Sequence, residues 1–355
     1  MRGRGALSNP EGRFNVHHHV PDPDVDLGPN LECGSRSARL VTRVRSEPSR
    51  RVISRNNSSD IPFNLSVNPY RGCEHGCIYC YARPGHAYLG LSPGLDFETQ
   101  IFAKPQAPQR LEQELRAPSY QCQVIAMGAN TDAYQPAERR LGITRQLLKV
   151  MNRFSQPVSL ITKSSLILRD KALLSAMARR RLAQVSVSVT SLCEETKRRL
   201  EPRTASAQVR LKVIRELTEA GIPVNVMVAP VIPKITEHEM EDILGAAAEA
   251  GAVSASYILL RLPGELESLF AQWLEEHYPN RQQAVMNLLR QCHGGDVYRG
   301  GFGRRMRGQG PFADLYAQRF AKASKRCGLA RREIDLDTAA FSPPAQAGDQ
   351  MTLAL

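Results

Sequence analysis

Residues 68–82 read NPYRGCEHGCIYCYA, and this stretch places Cys73, Cys77 and Cys80 in one short loop. A run of β-forming residues at 63–68 leads into the loop, which predicts a strand that ends where the cysteines begin. Three thiolates at this spacing can hold three corners of a four-iron, four-sulfur cluster, with Gly72 and Gly76 letting the backbone bend around it. No fourth cysteine lies in the loop, so one iron of such a cluster has no protein ligand.

An iron without a protein ligand predicts a particular chemistry for this loop. It can chelate the amino and carboxylate groups of S-adenosylmethionine (SAM), and one electron then breaks a C–S bond to give a 5′-deoxyadenosyl radical. The competing interpretation is a zinc site with His75 or His86 as fourth ligand, in a nucleic-acid-binding module without catalysis. Zinc sites more often use two separate pairs of ligands, and the sequence has no second pair. The iron–sulfur cluster is therefore favoured.

The composition is that of a globular chain with an excess of positive charge. Its 355 residues are 42% hydrophobic, enough for a large core, and the formal net charge is +12. The charge is compatible with a polyanionic partner such as DNA or RNA, or with solvated helix faces in an arginine-rich chain. Residues 1–15 lack the apolar core of an export signal, and no stretch reaches the roughly 18 apolar residues of a membrane span. We therefore expect a cytoplasmic protein with reduced thiols and no membrane partner.

Short β-rich runs alternate with longer helical stretches from residue 62 onward. Strands are predicted at 63–68, 123–128, 158–162, 184–190, 223–228 and 256–260, and helices near 136–154, 166–181, 205–220 and 237–250. Strand–helix alternation with almost continuously apolar strands favours parallel βαβ units. We predict an α/β fold whose core domain, 61–262, is a full or partial barrel. A partly disordered N-terminal arm (1–60) precedes it, and a helical C-terminal extension (263–340) and a disordered tail (341–355) follow.

The cysteine loop, with Tyr79 just before the last cysteine, resembles the signature of the radical SAM superfamily. The wider segment, PYRGC at 69–73 and CYARP at 80–84, resembles the branch that contains spore photoproduct lyase and its uncharacterised "DNA repair photolyase"-like relatives. The resemblance implies a partial (β/α)6 TIM-like barrel with the active site at the C-terminal mouth of the strands. It also implies a [4Fe-4S] cluster and SAM as cofactors, and an electron donor such as a flavodoxin or ferredoxin. Its catalytic and metal-binding residues would be Cys73, Cys77 and Cys80.

Residues just past the strand ends line the ligand site of an α/β barrel, which selects candidates for binding SAM. After the second strand, Gly128 would let the backbone approach the methionine moiety, and Asn130 and Asp132 would hydrogen-bond its amino group. After the fourth strand, Ser188 would lie near the ribose hydroxyls. Asp132 could instead cap the next helix, which would make it a structural residue.

Two further candidates come from the resemblance. Lys163 follows Thr162 as in the Thr-Lys of the lyase branch, where the lysine meets the carboxylate of SAM. Arg203 lies within LEPRT at 200–204, similar to the family's Glu-Pro-x-Thr, and is an added candidate for that carboxylate. Simple salt bridging or capping is the alternative for Lys163, Ser188 and Arg203. With Ala229 and Pro230 expected to pack on adenine, the predicted cofactor-binding residues are Tyr79, Gly128, Asn130, Asp132, Lys163, Ser188, Arg203, Ala229 and Pro230.

The sequence departs from spore photoproduct lyase at one informative position. Asn130 stands where that enzyme carries a hydrogen-donating cysteine, so we expect no reversal of thymine photoproducts. The radical would abstract hydrogen from an unknown substrate, which is nucleic acid in one interpretation and a protein or small metabolite in the other. The first interpretation rests on the resemblance and on a basic C-terminal region in which Tyr298 and Phe302 could stack on bases. The cations of that region are Arg299, Arg304, Arg305, Arg307, Arg319, Lys322, Lys325, Arg326, Arg331 and Arg332.

Overall fold

The structure, a computed structural model, describes residues 3–14, 40–298, 300, 303–329 and 334–345. Within them the strands, in chain order, are β1 (Arg43–Ser46), β2 (Ile53–Arg55), β3 (Leu65–Val67), β4 (Tyr70–Arg71), β5 (Gln100–Ala103), β6 (Ile125–Met127), β7 (Val158–Thr162), β8 (Ala183–Ser188), β9 (Val224–Val231) and β10 (Ser254–Leu259). The helices are α1 (Leu95–Thr99), α2 (Ala107–Arg116), α3 (Glu138–Leu141), α4 (Ile143–Arg153), α5 (Lys171–Ala178), α6 (Glu194–Leu200), α7 (Ala207–Glu219), α8 (Met240–Glu249), α9 (Leu266–His277), α10 (Gln282–Cys292) and α11 (Pro311–Arg326).

Seven strands form the main sheet, in the order β10-β9-β8-β7-β6-β3-β2. The six strands from β3 to β10 pair in parallel, and β2 pairs antiparallel with β3. In the described part of the chain β10 and β2 do not pair with each other, so the barrel stays open on one side. The predicted partial (β/α)6 barrel is confirmed. Its six parallel strands bring their carboxyl ends to one mouth.

The barrel strands are held by nearly continuous apolar sequences. In β9, Val224, Val226 and Val228 are almost fully buried, as expected for a parallel strand covered by helices. On the helical side, Leu147 and Leu148 of α4 are fully buried against the same core. Burying each such side chain stabilises the fold by about 1.5–3 kcal/mol relative to leaving it exposed.

The predicted element boundaries differ from the structure in ways that have local causes. The strand at 158–162 is found unchanged as β7, whereas the strand predicted at 223–228 continues to Val231 because the apolar sequence continues. The helix predicted at 136–154 is divided into α3 and α4 at Gly142, whose φ of +65° is left-handed and ends a helix readily. Helix α2 was absent from the prediction, because its buried face is small and centres on Leu111 and Leu115.

A second, three-stranded sheet with the order β1-β5-β4 lies beside the barrel. Strand β4 runs directly into the cysteine loop, and its neighbour β5 follows α1 in the chain. Strands β1 and β2 both fall in the predicted N-terminal arm at 1–60, so part of this arm contributes to sheets. The N-terminal segment (residues 3–14) also contacts the core: Ala6 is fully buried.

The C-terminal extension covers the free edge of β10. The Leu259 N–H donates to the Met306 carbonyl (2.9 Å), and the rings of Tyr257 and Phe320 lie 4.7 Å apart. An ion pair of 2.7 Å between Arg319 and Glu241 joins α11 to α8. Covering an edge strand in this way blocks pairing with another chain. None of the described helices is long and apolar enough to cross a bilayer.

Candidate active site

The three cysteines lie on a tight loop that begins where β4 ends. Cys73 and Cys77 are buried, and Cys80 is partly exposed. The loop is held from two sides: the Cys73 N–H donates to the Phe97 carbonyl (2.9 Å) and the Ile78 N–H donates to the Leu200 carbonyl (3.1 Å). One hydrogen bond therefore ties the loop to α1, and the other ties it to the last residue of α6 in the barrel domain.

Two glycines allow this loop geometry. Gly72 and Gly76 have φ values of +74° and +67°, which side chains rarely adopt. A Cβ at Gly72 would lie 2.9 Å from the Phe97 carbonyl oxygen, and one at Gly76 would lie 2.7 Å from the Glu98 carboxylate. Both positions therefore require glycine twice over, once for the backbone conformation and once for the close approach of α1.

The electrostatics of the thiols fit a cationic cluster. Burial raises the pKa of Cys73, Cys77 and Cys80, so all three hold their protons in the absence of a cation. A backbone hydrogen bond from Asp132 opposes that effect at Cys73, as does the charge of Lys163 at Cys77 and Cys80. Cysteine binds metal as the thiolate, so a bound iron cluster would supply the positive charge and release the three protons.

The contacts of the histidines weigh against the alternative zinc site. His75 Nδ1 lies 3.3 Å from Asp132 Oδ2, and His86 Nε2 lies 3.0 Å from the Gln100 carbonyl oxygen. Within the ranges that the structure describes, no three His, Cys, Asp or Glu side chains converge on a single-ion site. A cubane differs in that each cysteine ligates a separate iron, so its sulfurs need not converge on one point.

A buried network connects the loop to the mouth of the barrel. The Tyr79 hydroxyl donates to the Glu201 carboxylate and lies 3.2 Å from the Thr190 hydroxyl, at the end of β8. Arg210 of α7 donates to the other oxygen of Glu201 and, from Nη1, to the Ser188 carbonyl at 2.9 Å. Burial alone would raise the pKa of Glu201, but Arg210 and Lys163 lower it to about 2. The carboxylate is therefore ionised at neutral pH and holds Tyr79 in place.

Asp132 joins three parts of the site. Its Oδ1 accepts from the Thr162 hydroxyl and the Tyr134 N–H, and its Oδ2 accepts from the Lys163 N–H, each at 2.8 Å. Burial alone would raise the pKa of Asp132, but His75 and the backbone donors lower it to about 2. These donors and His75 occupy the four acceptor positions of the carboxylate. Asp132 is thus placed as a turn-forming residue and not as a free acceptor, and it does not cap the next helix, because α3 begins after Ala137 without a side-chain cap.

Of the other residues predicted to bind SAM, Lys163 faces the cysteines, whereas Arg203 is held by a contact elsewhere. Lys163 Nζ lies 5.9 Å from the centre of the Tyr79 ring, on the side of the cysteines. Ser188 is buried at the end of β8, and Asn130 is exposed just past β6. Arg203 instead contacts the loop through Glu74, 3.3 Å away, and is held there by Thr42.

Two residues of the set act through the backbone. Gly128 has a φ of +88°, and a Cβ there would overlap the Ile161 carbonyl oxygen, so close packing of β6 on β7 requires glycine. The Ala229 carbonyl oxygen accepts from the Thr190 hydroxyl (2.8 Å), which places Ala229 and Pro230 next to the Tyr79 network. Gly128 thus borders the mouth just past β6, and Ala229 borders it near the end of β9.

Comparison with known proteins agrees with this geometry. The profile of the Radical SAM superfamily matches residues 67–247, more than half of the chain. The chain belongs to the radical SAM superfamily. An uncharacterized protein of Mycobacterium tuberculosis, Rv2578c, is 37% identical to it over 236 residues, 66% of this chain and 69% of the relative. An uncharacterized protein of Methanocaldococcus jannaschii is 26% identical over 222 residues, 62% of this chain and 79% of the relative.

The radical SAM fold is also found among solved structures. Spore photoproduct lyase complexed with a dinucleoside spore photoproduct superposes with a TM-score of 0.56 at 16% identity, and the match covers 81% of each chain. At this identity the match establishes the shared fold. It agrees with the branch that the cysteine segment indicated.

Sequence reasoning missed several residues of this radical SAM site. The Cζ of Arg261 lies 4.1 Å from the centre of the Tyr81 ring, and the Tyr81 hydroxyl donates to the Ala129 carbonyl. Arg261 follows β10 by two residues, so the strand-end rule that selected Gly128 and Asn130 could have found it. Glu201 lay within the segment LEPRT, but only its neighbour Arg203 was chosen. Arg210 carried no signal, because it is one of many helical arginines.

Proposed function

We propose that this chain is an enzyme that holds a [4Fe-4S] cluster on Cys73, Cys77 and Cys80 and cleaves SAM reductively. The observation that carries the proposal is the set of three thiols, two of them buried, on one loop of a radical SAM chain. When bound, the cluster and SAM supply a 5′-deoxyadenosyl radical that takes hydrogen from a substrate. The protein would work in the cytoplasm, with an electron from a flavodoxin or ferredoxin.

The residues of the mouth have distinct roles in this proposal. Lys163 binds the carboxylate of SAM, because it is a cation that faces the cysteines and has no carboxylate partner within hydrogen-bonding distance among the described residues. The backbone at Gly128 and the side chains of Asn130 and Ser188 line the methionine and ribose side. Asp132 and Arg203 act as positioning residues, since the contacts above already occupy them. Tyr79, Ala229 and Pro230 form the wall next to adenine.

Anaerobic reconstitution tests the proposed function. Wild-type protein should bind about four iron and four sulfide per chain. After reduction with dithionite it should convert SAM slowly to 5′-deoxyadenosine, as measured by chromatography. Zinc bound without sulfide, or iron bound without deoxyadenosine formation, would exclude the proposal.

Lys163→Met is expected to weaken SAM binding by roughly ten- to hundredfold, because it removes a hydrogen bond to a charged group, about 1.5–3 kcal/mol. The measurement is a SAM titration of the reconstituted protein followed by the change in its EPR spectrum. Lys171→Met is the control, since Lys171 pairs with Glu216 on the surface (2.9 Å). Equal affinity in wild type and Lys163→Met would show that the carboxylate binds elsewhere.

We further propose that the substrate is nucleic acid. Arg261 and Tyr81 offer a cation and a ring beside the cysteines, suited to a phosphate and an unpaired base. Arg304 and Arg307 are exposed on the loop that pairs with the edge of β10. The similar fold of spore photoproduct lyase binds a dinucleoside photoproduct, which also supports this class. Asn130 in place of the donor cysteine still leads us to expect a different reaction.

Two arginines of the basic C-terminal region form ion pairs within the protein. Arg319 pairs with Glu241, and Arg305 Nε pairs with Asp60 Oδ2 at 2.7 Å. Arg299, Phe302, Arg331 and Arg332 lie outside the described residues. Arg304 and Arg307 are therefore the variants of choice for a test.

An Arg304→Ala/Arg307→Ala variant is expected to bind a single-stranded oligonucleotide more weakly than wild type and with a shallower salt dependence. Each phosphate that the variant no longer neutralises should reduce the slope of log K against log salt by about 0.7. The control is Arg179→Ala/Arg180→Ala, a change of the same charge at the end of α5, where the helix returns to the opposite end of the barrel. Identical slopes in all three proteins would exclude nucleic acid as a partner of this loop.

A further inference from the structure

The N-terminal segment (residues 3–14) lies directly on the cysteine loop. A Cβ at Gly5 would overlap the carbonyl oxygen of Gly76, the residue just before Cys77. Ala6 is fully buried and belongs to the same apolar cluster as Cys77 and Ile78. Only glycine at position 5 allows the two backbones to approach this closely.

One buried carboxylate joins this segment to the loop. Glu98, in α1, is fully buried; its Oε2 accepts from the Gly5 N–H (3.1 Å) and its Oε1 accepts from the Ala6 N–H (2.8 Å). Oε1 also accepts from Arg83 Nη2 at 2.5 Å. Glu98 therefore binds two backbone N–H groups of the N-terminal segment. It also binds Arg83, which follows the cysteine loop.

Arg83 extends this connection to the cysteines themselves. It is fully buried, and its Nε donates to the Cys77 carbonyl at 2.9 Å. Its Nη1 donates to the Pro93 and Gly94 carbonyls at 3.1 and 2.8 Å. Such a pair contributes little net stability over apolar residues of the same volume. Its hydrogen bonds do, however, fix the direction of each partner, and here the partners are the backbones of Gly5, Ala6 and Cys77.

We propose that Glu98 is a positioning residue for the cluster. Through the N-terminal segment and Arg83 it holds the turn Gly76-Cys77 in the conformation in which three sulfurs can share one cluster, and it keeps the segment over that turn. The inference rests on the proposed cluster on Cys73, Cys77 and Cys80. Groups that orient metal ligands in this way commonly change metal retention about 10- to 100-fold when removed.

The outer half of the segment provides the matched control. Arg13 is joined to Glu265, the residue before α9, by a 2.9 Å ion pair that is partly exposed. Glu265→Gln removes a carboxylate that holds the same segment at Arg13, eight residues along the chain from Gly5, which contacts the turn Gly76-Cys77. If the segment merely needed to be attached, Glu98→Ala and Glu265→Gln would have similar effects on the cluster.

The test is the rate at which reconstituted protein loses iron to a chelator under anaerobic conditions, together with the EPR spectrum of the reduced cluster. Glu98→Ala should lose iron at least about tenfold faster than wild type and show a shifted or broadened spectrum. Glu98→Gln keeps one carbonyl oxygen as acceptor and should fall between the two. Glu265→Gln should match wild type in both measurements.

A second pair of variants covers the case in which Glu98→Ala fails to fold because Arg83 is left unpaired. Gly5→Ala displaces the segment without removing any charge, and should also lose iron faster. Its control is Gly85→Ala, where an added Cβ meets nothing within 4 Å. Wild-type iron loss and spectrum in folded Gly5→Ala would overturn the inference while leaving the cluster itself established. Failure of wild type to bind four irons would instead overturn the proposed function.

Discussion

Replacing Cys73, Cys77 or Cys80 singly by alanine is expected to abolish both the iron–sulfur chromophore and the formation of 5′-deoxyadenosine. Each cysteine would ligate a different iron, so none of the three can substitute for another. Cys73 and Cys77 are also buried, so solvent does not readily supply a replacement ligand at either position. Iron, sulfide and the visible spectrum after anaerobic reconstitution provide the measurement.

Two other cysteines serve as controls for this result. Cys193 is exposed just before α6, and Cys327 is partly buried just after α11. Cys193→Ala and Cys327→Ala should retain full iron and sulfide. If a loop variant kept a four-iron cluster, or a control variant lost it, the assignment of the ligands would be wrong.

Arg210→Met is expected to lower the free energy of unfolding by about 3–5 kcal/mol, because it leaves the carboxylate of Glu201 buried without its ionic partner. The two side chains are 2% and 0% exposed, so water cannot replace the missing guanidinium. Denaturant unfolding under anaerobic conditions provides the measurement. The double variant Arg210→Met/Glu201→Leu should recover part of the loss, since it removes both charges together but leaves the Tyr79 hydroxyl without its acceptor.

Lys171→Met is the matched control for this change. It removes a cation from an ion pair with Glu216 whose side chains are 39% and 28% exposed, so solvent can replace the ammonium group and stability should barely change. The pH dependence offers a second check. Because the pKa of Glu201 is lowered from 4.5 to about 2, its contribution is complete above pH 4.5 and is lost as the pH falls toward 2. A wild-type midpoint in Arg210→Met would contradict this account.

The parts of this protein that could be predicted from the sequence are those set by short-range patterns. The spacing of the three cysteines is local, and so are the bends at Gly72 and Gly76, which are left-handed in the structure. The alternation of apolar strands with helices indicated the partial barrel for the same reason. Lys163 was found because Thr162-Lys163 resembles the Thr-Lys of the lyase branch and follows a parallel strand, whose carboxyl end lies at the mouth.

The residues that were missed depend on contacts between distant parts of the chain. Glu98 meets Gly5 across 93 positions, and Tyr79 meets Glu201 across 122. A lone Glu in a five-residue helix has no local pattern that distinguishes it from a solvated side chain. Arg203 was predicted to bind the carboxylate of SAM because it lies within LEPRT at 200–204, yet its guanidinium lies 3.3 Å from the Glu74 carboxylate.

The contacts of the N-terminal segment also constrain the order in which the protein is assembled. Arg13 and Glu265 are separated by 252 positions, so the segment cannot complete its docking until most of the chain has been synthesised. Folding steps that close such long loops come late, since the loop entropy must be overcome first. During synthesis the cysteine loop is therefore complete before its cover arrives. If the chain holds the proposed cluster, iron and sulfide would reach the thiols from outside in that interval, before Arg13 is joined to Glu265.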